Sequence, residues 1–596
     1  MPKASDGMST PHLHRAAYAV AVFFLAVIPF LPALGGDFVW DDHELIENNV
    51  TLDVPWTSFG RMVSFGGLRS PYYRPLSILF LSFERALFGC RPAGFHAANI
   101  LLHAVAALLL LALARRVLPP LPAFVAAAIF AVHPVHIEPV AFISAGATEL
   151  LPSLLFLGAL VIVLAPRLEE GAGDTPGSGL LWGAAGLYLL SLFAKEVSIG
   201  LPVIVGAVLA RQAAGRGGRR QPLRHLAPFA AVLAVYAALR LQAMWRPDQL
   251  PAADIFKPAA WTVIPWALTA GRLLLAPVRL LPYYELEPLG AAGVVAGVFL
   301  IGVAAAAVAL LARERRWDAA VTLGAGLFLV PLLPALPLLP RSGALISERY
   351  LYLPSAGLAL LLAAALDLLL TRRPALARSA LAATAAILAC AALWSGLRSL
   401  DWRNDVRLFT RAAARAPRNS GLQFLLGDVL ARAGRHGEAE EPLARALSLS
   451  PRFVRAQTRL ADVYRVTGRL VEARRLYRQS IDAAPEDSSA HFGLGSLEMD
   501  HGDPLVAAVE LETAVRLSPD FASALVNLGV LAYRAGRIAE AESFWRQAVV
   551  VEPRNALALG NLGAIARSRA RDAEARGFFE QAPAADSRNA AARKSP

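Results

Sequence analysis

The stretch Phe38-Val39-Trp40-Asp41-Asp42-His43-Glu44 follows the first apolar run, 16–34, and marks where the chain leaves the membrane. It opens a non-membrane segment, 36–95. Adjacent residues diverge on a helix or a strand, so one carboxylate can face a site while the other is held behind it. The alternative is that both acids only cap a helix and remain solvated. The rest of the chain bears on this choice.

Composition divides the chain into two parts. With 596 residues, 56% of them hydrophobic, and a mean hydropathy of +0.47, the chain is too apolar for a soluble globular protein. Residues 1–398 contain repeated apolar runs, whereas residues 401–596 are rich in Arg, Glu and Ala at helical spacing. We predict an all-α protein, with a polytopic membrane bundle over 1–400 followed by a soluble helical domain.

The net charge of +12 does not indicate a nucleic-acid-binding protein. The basic residues stand in short clusters between apolar runs, which is the pattern that membrane topology produces. Cys90 and Cys390 are too few for a disulfide framework. The first run ends in small residues that would suit signal-peptide cleavage, but further spans follow, so we expect an uncleaved anchor.

The apolar runs predict eleven membrane spans. A further apolar segment, 257–282, contains several prolines and arginines, and we expect it to lie along the interface. With the N-terminus inside, this assignment keeps the arginine clusters inside, as the positive-inside rule requires. The odd count then places residues 401–596 outside, on the face of Asp41 and Asp42. The predicted spans are 16–34, 96–118, 121–138, 140–165, 179–195, 197–211, 226–243, 290–312, 317–340, 349–370 and 379–398.

Ionisable side chains converge at span ends on that outer face. Lys195-Glu196 lies between the fifth and sixth spans, and Glu348-Arg349 opens the tenth. Charges near membrane depth are costly, so they mark either a site or ion pairs within and across the helix ends. Both interpretations stay open at this point.

A histidine motif ends the third span. His133 and His136 with Glu138 supply ligand types that a divalent ion accepts. Pro134 prevents a regular helical pair, and the spacing fixes no fourth ligand. We therefore do not favour a metal, and we expect helix-end hydrogen bonding and positioning of a phosphate or a sugar hydroxyl.

Beyond residue 418 the sequence repeats with a period of 34, the signature of tetratricopeptide repeats. A small residue after Leu lets two helices approach, Gly makes the turn between them, and Pro ends the second helix. The last repeat has Ala570 at the turn. We predict a half-repeat cap, 401–419, five repeats, 420–453, 454–487, 488–521, 522–555 and 556–589, and a disordered tail, 590–596.

Stacked repeats form a concave groove that binds peptides or protein partners. Asn527 and Asn561 occupy the same position in consecutive repeats, so both should face this groove. A side-chain amide both donates to and accepts from an extended backbone without demanding a sequence. The alternative is ordinary polar lining of a solenoid.

Several motifs together resemble a known family. In order they are Trp40-Asp41-Asp42, Tyr73-Arg74-Pro75-Leu76, Phe95-His96 with Asn99 and His103, His133 to Glu138, Lys195-Glu196, Glu348 to Pro354, and Trp402 with Asn404 and Phe409. This order, followed by the repeats, resembles the transmembrane and tetratricopeptide-repeat-containing O-mannosyltransferases, and specifically a bacterial relative. The stretch Ala145 to Glu149 departs from the more polar sequence of the family, which puts its donor contacts in doubt.

The resemblance implies a membrane C-type glycosyltransferase fold and a hexosyltransferase. Its donor would be a polyprenyl- or dolichyl-phosphate monosaccharide, mannose or another hexose, and its acceptor Ser and Thr hydroxyls of proteins on the outer face. The repeats would bind the acceptor protein; we expect no cofactor besides this donor, with a divalent metal as the alternative that we do not favour. The location would be a bacterial inner membrane with periplasmic repeats, or an endoplasmic reticulum membrane with lumenal repeats.

The resemblance also implies roles for the residues. The base falls on Asp42 or Asp41, and we favour Asp42 as the base with Asp41 in support. The phosphate ligands, by charge and predicted face, are Arg74, Lys195 and Arg349. The sugar-side and supporting polar set is His133, His136, Glu138, Glu196 and Glu348.

Two other functions fit the sequence. The same chemistry could act on a lipid or glycan acceptor, or the chain could be a membrane-anchored scaffold whose repeats recruit proteins for envelope assembly. The converging ionisable residues argue against a passive anchor. We do not favour a soluble nucleotide-sugar enzyme, because no glycine-rich phosphate loop follows a predicted strand.

Overall fold

The computed structural model describes residues 10–49, 52, 73–164, 178–214, 221–244, 260–285, 289–312, 318–335 and 345–593. Nearly all of them are helical, which confirms the all-α prediction. The chain divides into two compact units, Met1–Leu408 and Phe409–Pro596, so the boundary falls inside the predicted cap. Strand structure in the described residues is limited to one antiparallel pair, Tyr284–Glu285 with Leu345–Ile346.

Apolar helices build the first unit. The most apolar stretch of Pro92–Ala114 is more than half buried by neighbouring helices, whereas only 6% of that in Ala292–Leu310 is buried. An apolar helix that protein does not cover requires lipid around it. The α-helices of this unit are Thr10–Val27, Pro75–Phe88, Pro92–Ala114, Pro120–Val132, Ile137–Ala141, Ile143–Ala145, Leu151–Val163, Ser178–Ala194, Leu201–Ala214, Gln221–Met244, Ala260–Leu275, Ala291–Ala312, Asp318–Leu329, Tyr352–Arg372 and Ala377–Ser399.

The prediction of eleven spans was too high for continuous helices. Among the described residues, seven helices are long and apolar enough to cross a membrane, or eight if one bent pair is a single span. The bent pair is the predicted span 121–138, where Pro120–Val132 and Pro134–Ala141 meet at 45° because proline interrupts the helix. The predicted spans 179–195, 197–211 and 317–340, like the segment 257–282, contain apolar helices of only 10–17 residues.

Two glycines let neighbouring helices approach closely in the first unit. A Cβ atom on Gly357, in Tyr352–Arg372, would overlap backbone atoms of Gly324 and Phe328 in Asp318–Leu329. Small residues at such crossings bring the helix backbones into van der Waals contact, which replaces the hydrophobic driving force that is absent between helices in lipid. This contact fixes the helix Tyr352–Arg372, which directly follows the short turn that contains Glu348 and Arg349.

Helix pairs with the predicted period form the second unit. Gly434, Gly468 and Gly536 make the turns between paired helices at φ of 75°, 82° and 75°, and Ala570 adopts the same left-handed region at 57°. The last helix continues into the predicted tail, of which 594–596 lie outside the described residues. The helices are Asp405–Arg415, which begins in the first unit and crosses the boundary, and then Ser420–Arg432, His436–Leu449, Val454–Val466, Leu470–Ala483, Ser488–His501, Pro504–Leu517, Ala522–Arg534, Ile538–Val551, Ala556–Ser568 and Asp572–Arg593.

The small residue after Leu has the predicted packing role. A Cβ atom on Gly529 would overlap the indole of Trp545, which is buried and donates from Nε1 to the carbonyl of Val526 at 3.1 Å. Because the indole ring is rigid and hydrogen-bonded, it cannot move away from a methyl group added at Gly529. Gly437, also within a helix, has open space around its Cβ position.

We expect Gly529→Ala to destabilise the repeats by about 1–3 kcal/mol through overpacking. Gly437→Ala is the matched control, and it should be neutral or stabilise by up to about 1 kcal/mol through helix propensity. Hydrogen exchange of Ala522–Arg534 and His436–Leu449 in the purified chain measures both effects. Equal exchange in the two variants would contradict the packing role.

Candidate active site

Asp42 is fully buried in the loop that follows the first apolar helix. Its Oδ1 accepts a hydrogen bond from the amide of Ser144 at 2.8 Å, and its Oδ2 accepts from the amides of Ile143 and Val39 at 3.3 Å each. Burial raises the pKa of Asp42 to about 7, although the amide donors act in the opposite direction. Asp42 therefore binds the helix start at Ile143, distant in sequence, and is buried, whereas the capping alternative left open by the sequence required solvated acids.

Asp41 is only partly buried. Among the residues that the structure describes, no donor binds its carboxylate. Burial raises its pKa, and the positive charge of Arg349 partly offsets this shift. Of the two acids, Asp41 has the carboxylate that an incoming group can reach.

Arg349 is held against Glu138. Its Nη1 lies 3.5 Å from Oε1 of Glu138, and its backbone amide donates to Oε2 at 3.1 Å. The guanidinium also stands over the ring of Phe142, 5.4 Å from the centroid. Glu138, predicted on the sugar side, thus positions the cation whose charge acts on Asp41.

The other two predicted cations are paired across helix ends. Lys195 forms a buried ion pair with Glu149 and lies 5.0 Å from the ring centroid of Tyr350. Arg74 binds Glu196 through two bonds, Nε to Oε2 at 3.0 Å and Nη2 to Oε1 at 2.6 Å. Lys195 and Glu196 thus form ion pairs, as one of the two interpretations of the sequence expected, but each pairs with a residue other than its sequence neighbour. Such a pair does not prevent a guanidinium or an ammonium from donating to a further anion.

The histidines and Glu348 have other partners within the first unit. His133 donates from Nε2 to the carbonyl of Leu274 at 2.9 Å, and its Nδ1 accepts from the amide of Val135 at 3.2 Å. His136 Nε2 lies 2.7 Å from the hydroxyl of Ser355, and Glu348 accepts from the hydroxyl of Tyr284 at 2.7 Å. These contacts agree with the predicted helix-end hydrogen bonding. In the described part of the chain, no three His, Cys, Asp or Glu side chains form a group able to hold a metal.

One acid that the sequence analysis missed lies beside the paired carboxylates. The Oδ1 of Asp405 accepts from the amide of Trp40 at 2.7 Å, and its Oδ2 lies 3.0 Å from Nε2 of His43. Nδ1 of His43 lies 2.6 Å from Oε2 of Glu47. Glu149 was also missed. The sequence carried one signal near Glu149, the departure of Ala145 to Glu149 from the family sequence. It carried no local pattern that would have pointed to Asp405.

The second unit contains a cavity of about 520 Å³. Phe424, Phe492 and Phe521 line it together with Arg455 and Arg459, so it combines aromatic rings with positive charge. The predicted groove residues lie elsewhere. Asn527 donates to the hydroxyl of Ser496 at 2.9 Å, and neither Asn527 nor Asn561 lines this cavity.

We expect Glu149→Gln to destabilise the first unit by about 3–5 kcal/mol, because Lys195 would remain buried without its acid. Adding Lys195→Met should restore most of the loss. Glu540→Gln, which breaks an exposed pair with Arg537, is the control and should cost less than about 1 kcal/mol. Thermal unfolding of the purified chain in detergent measures all three, and similar losses for the two single acid variants would contradict the buried pairing.

Comparison with known proteins gives consistent matches for both units. Two family models described as tetratricopeptide repeat match residues 401–452 with 492–549, and 430–495. Protein O-mannosyl-transferase TMTC4 of Mus musculus is 27% identical over 486 residues, covering 70% of this chain and 65% of that protein. Protein O-mannosyl-transferase F38B6.6 of Caenorhabditis elegans is 27% identical over 446 residues, covering 70% and 60%.

The chain thus spans slightly less than two thirds of the length of these relatives. Among solved structures, the crystal structure of MamA aligns with 28% of this chain and 96% of its own, at 20% identity and a TM-score of 0.24. The similarity to the O-mannosyl-transferases confirms the resemblance found in the motifs. The chain is an integral membrane protein with tetratricopeptide repeats, related to the transmembrane and tetratricopeptide-repeat-containing O-mannosyltransferases.

Proposed function

We propose that this chain transfers a monosaccharide, mannose or another hexose, from a polyprenyl- or dolichyl-phosphate donor to Ser and Thr hydroxyls of proteins. The observation that carries the proposal is the partly exposed carboxylate of Asp41, on which the positive charge of Arg349 acts. A base next to a cation is what transfer from a phosphate to a hydroxyl requires. The printed names of the relatives support the same activity.

Asp41 is the better candidate for the base. Asp42, favoured from the sequence, has both carboxylate oxygens engaged by backbone amides and is fully buried. A base must be within hydrogen-bond reach of the hydroxyl that it deprotonates. We assign the proton transfer to Asp41, and to Asp42 the task of holding the loop against Ile143 and Ser144.

The proposed step is a single in-line displacement. The acceptor oxygen attacks the anomeric carbon of the sugar while Asp41 takes the hydroxyl proton. The bond from the anomeric carbon to the phosphate oxygen breaks, and the lipid phosphate leaves with the electron pair. Arg349, Lys195 and Arg74 stabilise the charge that develops on this phosphate, and the anomeric configuration inverts.

The repeats would hold the acceptor protein. Concave surfaces of stacked helix pairs bind extended chains, and the cavity at Phe424, Phe492 and Phe521 offers aromatic surface beside the arginines Arg455 and Arg459. We propose that the site and the repeats lie on the outer face of a bacterial inner membrane, or on the lumenal face of the endoplasmic reticulum, which is the location that the resemblance implies.

We expect Asp41→Asn to lower transfer by about 10²–10⁴-fold, the usual contribution of a general base. Asp42→Asn keeps an acceptor oxygen for the amides and should retain more activity than Asp41→Asn. The assay uses the purified chain in detergent with a polyprenyl-phosphate hexose and a Ser/Thr-rich protein, with product detected by mass spectrometry.

Cells that lack the chain, or carry Asp41→Asn, should lose hexose-type modifications of their membrane and exported proteins. If a folded Asp42→Asn variant lost all transfer and Asp41→Asn did not, Asp42 would be the base. Unchanged protein modification in cells without the chain, together with no transfer by the purified protein, would contradict the proposed function.

A further inference from the structure

We propose that Asp405 is a positioning residue for the transfer reaction, since it holds the chain on both sides of the Asp41-Asp42 pair. The inference rests on the proposed function. Asp405 lies near the end of the first unit, far in sequence from the loop that it binds. We call Asp405 with Trp40 and His43 the loop clamp.

The two oxygens of one carboxylate make the clamp. Oδ1 of Asp405 accepts from the amide of Trp40 at 2.7 Å, immediately before Asp41, and Oδ2 lies 3.0 Å from Nε2 of His43, immediately after Asp42. Next to it, the amide of Asp37 donates to the carbonyl of Arg403 at 2.8 Å. The loop is therefore tied to this segment at three points.

Trp40 has a backbone conformation that requires such support. Its φ of 53° lies in the left-handed region, which a bulky residue adopts only where its surroundings impose it. Its ring stacks on Phe142 at 6.0 Å between centroids, and Phe142 packs in turn against Trp402 at 5.8 Å. The left-handed backbone at Trp40 sets the direction of the chain at the next residue, Asp41, and so the position of the Asp41 side chain.

The carboxylate of Asp405 does not cap the helix in which Asp405 lies. An acid in the first turn of a helix is usually explained by the free amides there. In Asp405–Arg415 the side chain of Asn404 performs that role, accepting from the amide of Arg407 at 2.9 Å. Both carboxylate oxygens of Asp405 are directed to the loop instead.

The charges around His43 strengthen the clamp. His43 lies between Asp405 and Glu47, and Asp37 also acts on the group. Hydrogen bonds to Asp405 and Glu47 raise the pKa of His43 from its ordinary 6.5 to about 10. The imidazole is therefore protonated at neutral pH, and both of its nitrogens donate.

The loop clamp and Asp42 together fix the position of Asp41. Asp42 binds the helix start at Ile143 and Ser144, while Asp405 binds Trp40 and His43. Asp41 is the residue between these attachments whose carboxylate is left to react. Loss of the clamp should misplace Asp41 without removing it, and it leaves the cations at the donor phosphate unchanged.

The first test is kinetic. Asp405→Asn keeps an oxygen for the Trp40 amide but removes the charge at His43, and Asp405→Ala removes both. We expect kcat to fall about 10²-fold in Asp405→Ala and less in Asp405→Asn, because small misplacement of a reacting group has effects of that size. The KM for a polyprenyl-phosphate hexose should stay unchanged. Asp503→Asn is the control, since Asp503 also accepts from an amide at a helix start but lies in the repeats.

The second test does not depend on activity. Hydrogen exchange of residues 37–48 in the full chain should be faster in Asp405→Asn than in wild type, and unchanged in Asp503→Asn. The protection that the charge of Asp405 gives should be greatest below pH 6.5 and lost as pH rises to about 10, because opening the loop returns the pKa of His43 to its ordinary value. His43→Gln should remove this pH dependence, and adding Asp405→Asn should then have little further effect.

Exchange of residues 37–48 that is the same in wild type, Asp405→Asn and Asp405→Ala would overturn the clamp. A fall in kcat no larger than that of Asp503→Asn, or a rise in donor KM with kcat unchanged, would overturn the positioning role. If wild type itself transfers no sugar, the proposed function fails. The exchange data still decide separately whether Asp405 holds the loop.

Discussion

A charge taken out of water needs a partner of opposite sign, and this requirement organises the first unit. Arg74, Lys195 and Arg349 each bind an acid from another part of the chain, namely Glu196, Glu149 and Glu138. Unpaired, any of them would be costly at the ends of apolar helices. The pairs therefore help to determine which helix ends meet, and the charge of Arg349, held by Glu138, acts on Asp41.

The local sequence was sufficient to predict those features that depend only on interactions between residues near one another in the chain. The 34-residue period predicted the helix pairs because each turn glycine, as at Gly434, Gly468 and Gly536, meets a backbone requirement within its own repeat. The sequence also singled out the ionisable residues at apolar helix ends as a group, since the cost of burying a charge is independent of fold. The existence of the apolar helices followed from composition alone.

The ion-pair partners and the lengths of the continuous helices depend on the folded structure, so the sequence pattern did not predict them. Glu149 and Asp405 reach Lys195 and His43 only after helices distant in sequence have packed. The count of continuous spans failed because hydropathy does not register where a helix breaks, as it does before Pro134. The choice of Asp41 or Asp42 as the proposed base depends on which carboxylate accepts hydrogen bonds from the amides of Ile143 and Ser144. No spacing in the sequence predicts those bonds.

The same ion pairs bear on how the proposed reaction would be catalysed. A cation already paired with an acid would attract the proposed donor less strongly than an unpaired one, so ground-state binding of its phosphate would be moderate. When the sugar departed, charge would accumulate on the phosphate oxygen, where further N–H groups of Arg349 and Lys195 could donate to it. Interactions that strengthen only as that charge develops raise kcat rather than affinity. Pairing the cations thus serves stability and the proposed chemistry through one arrangement.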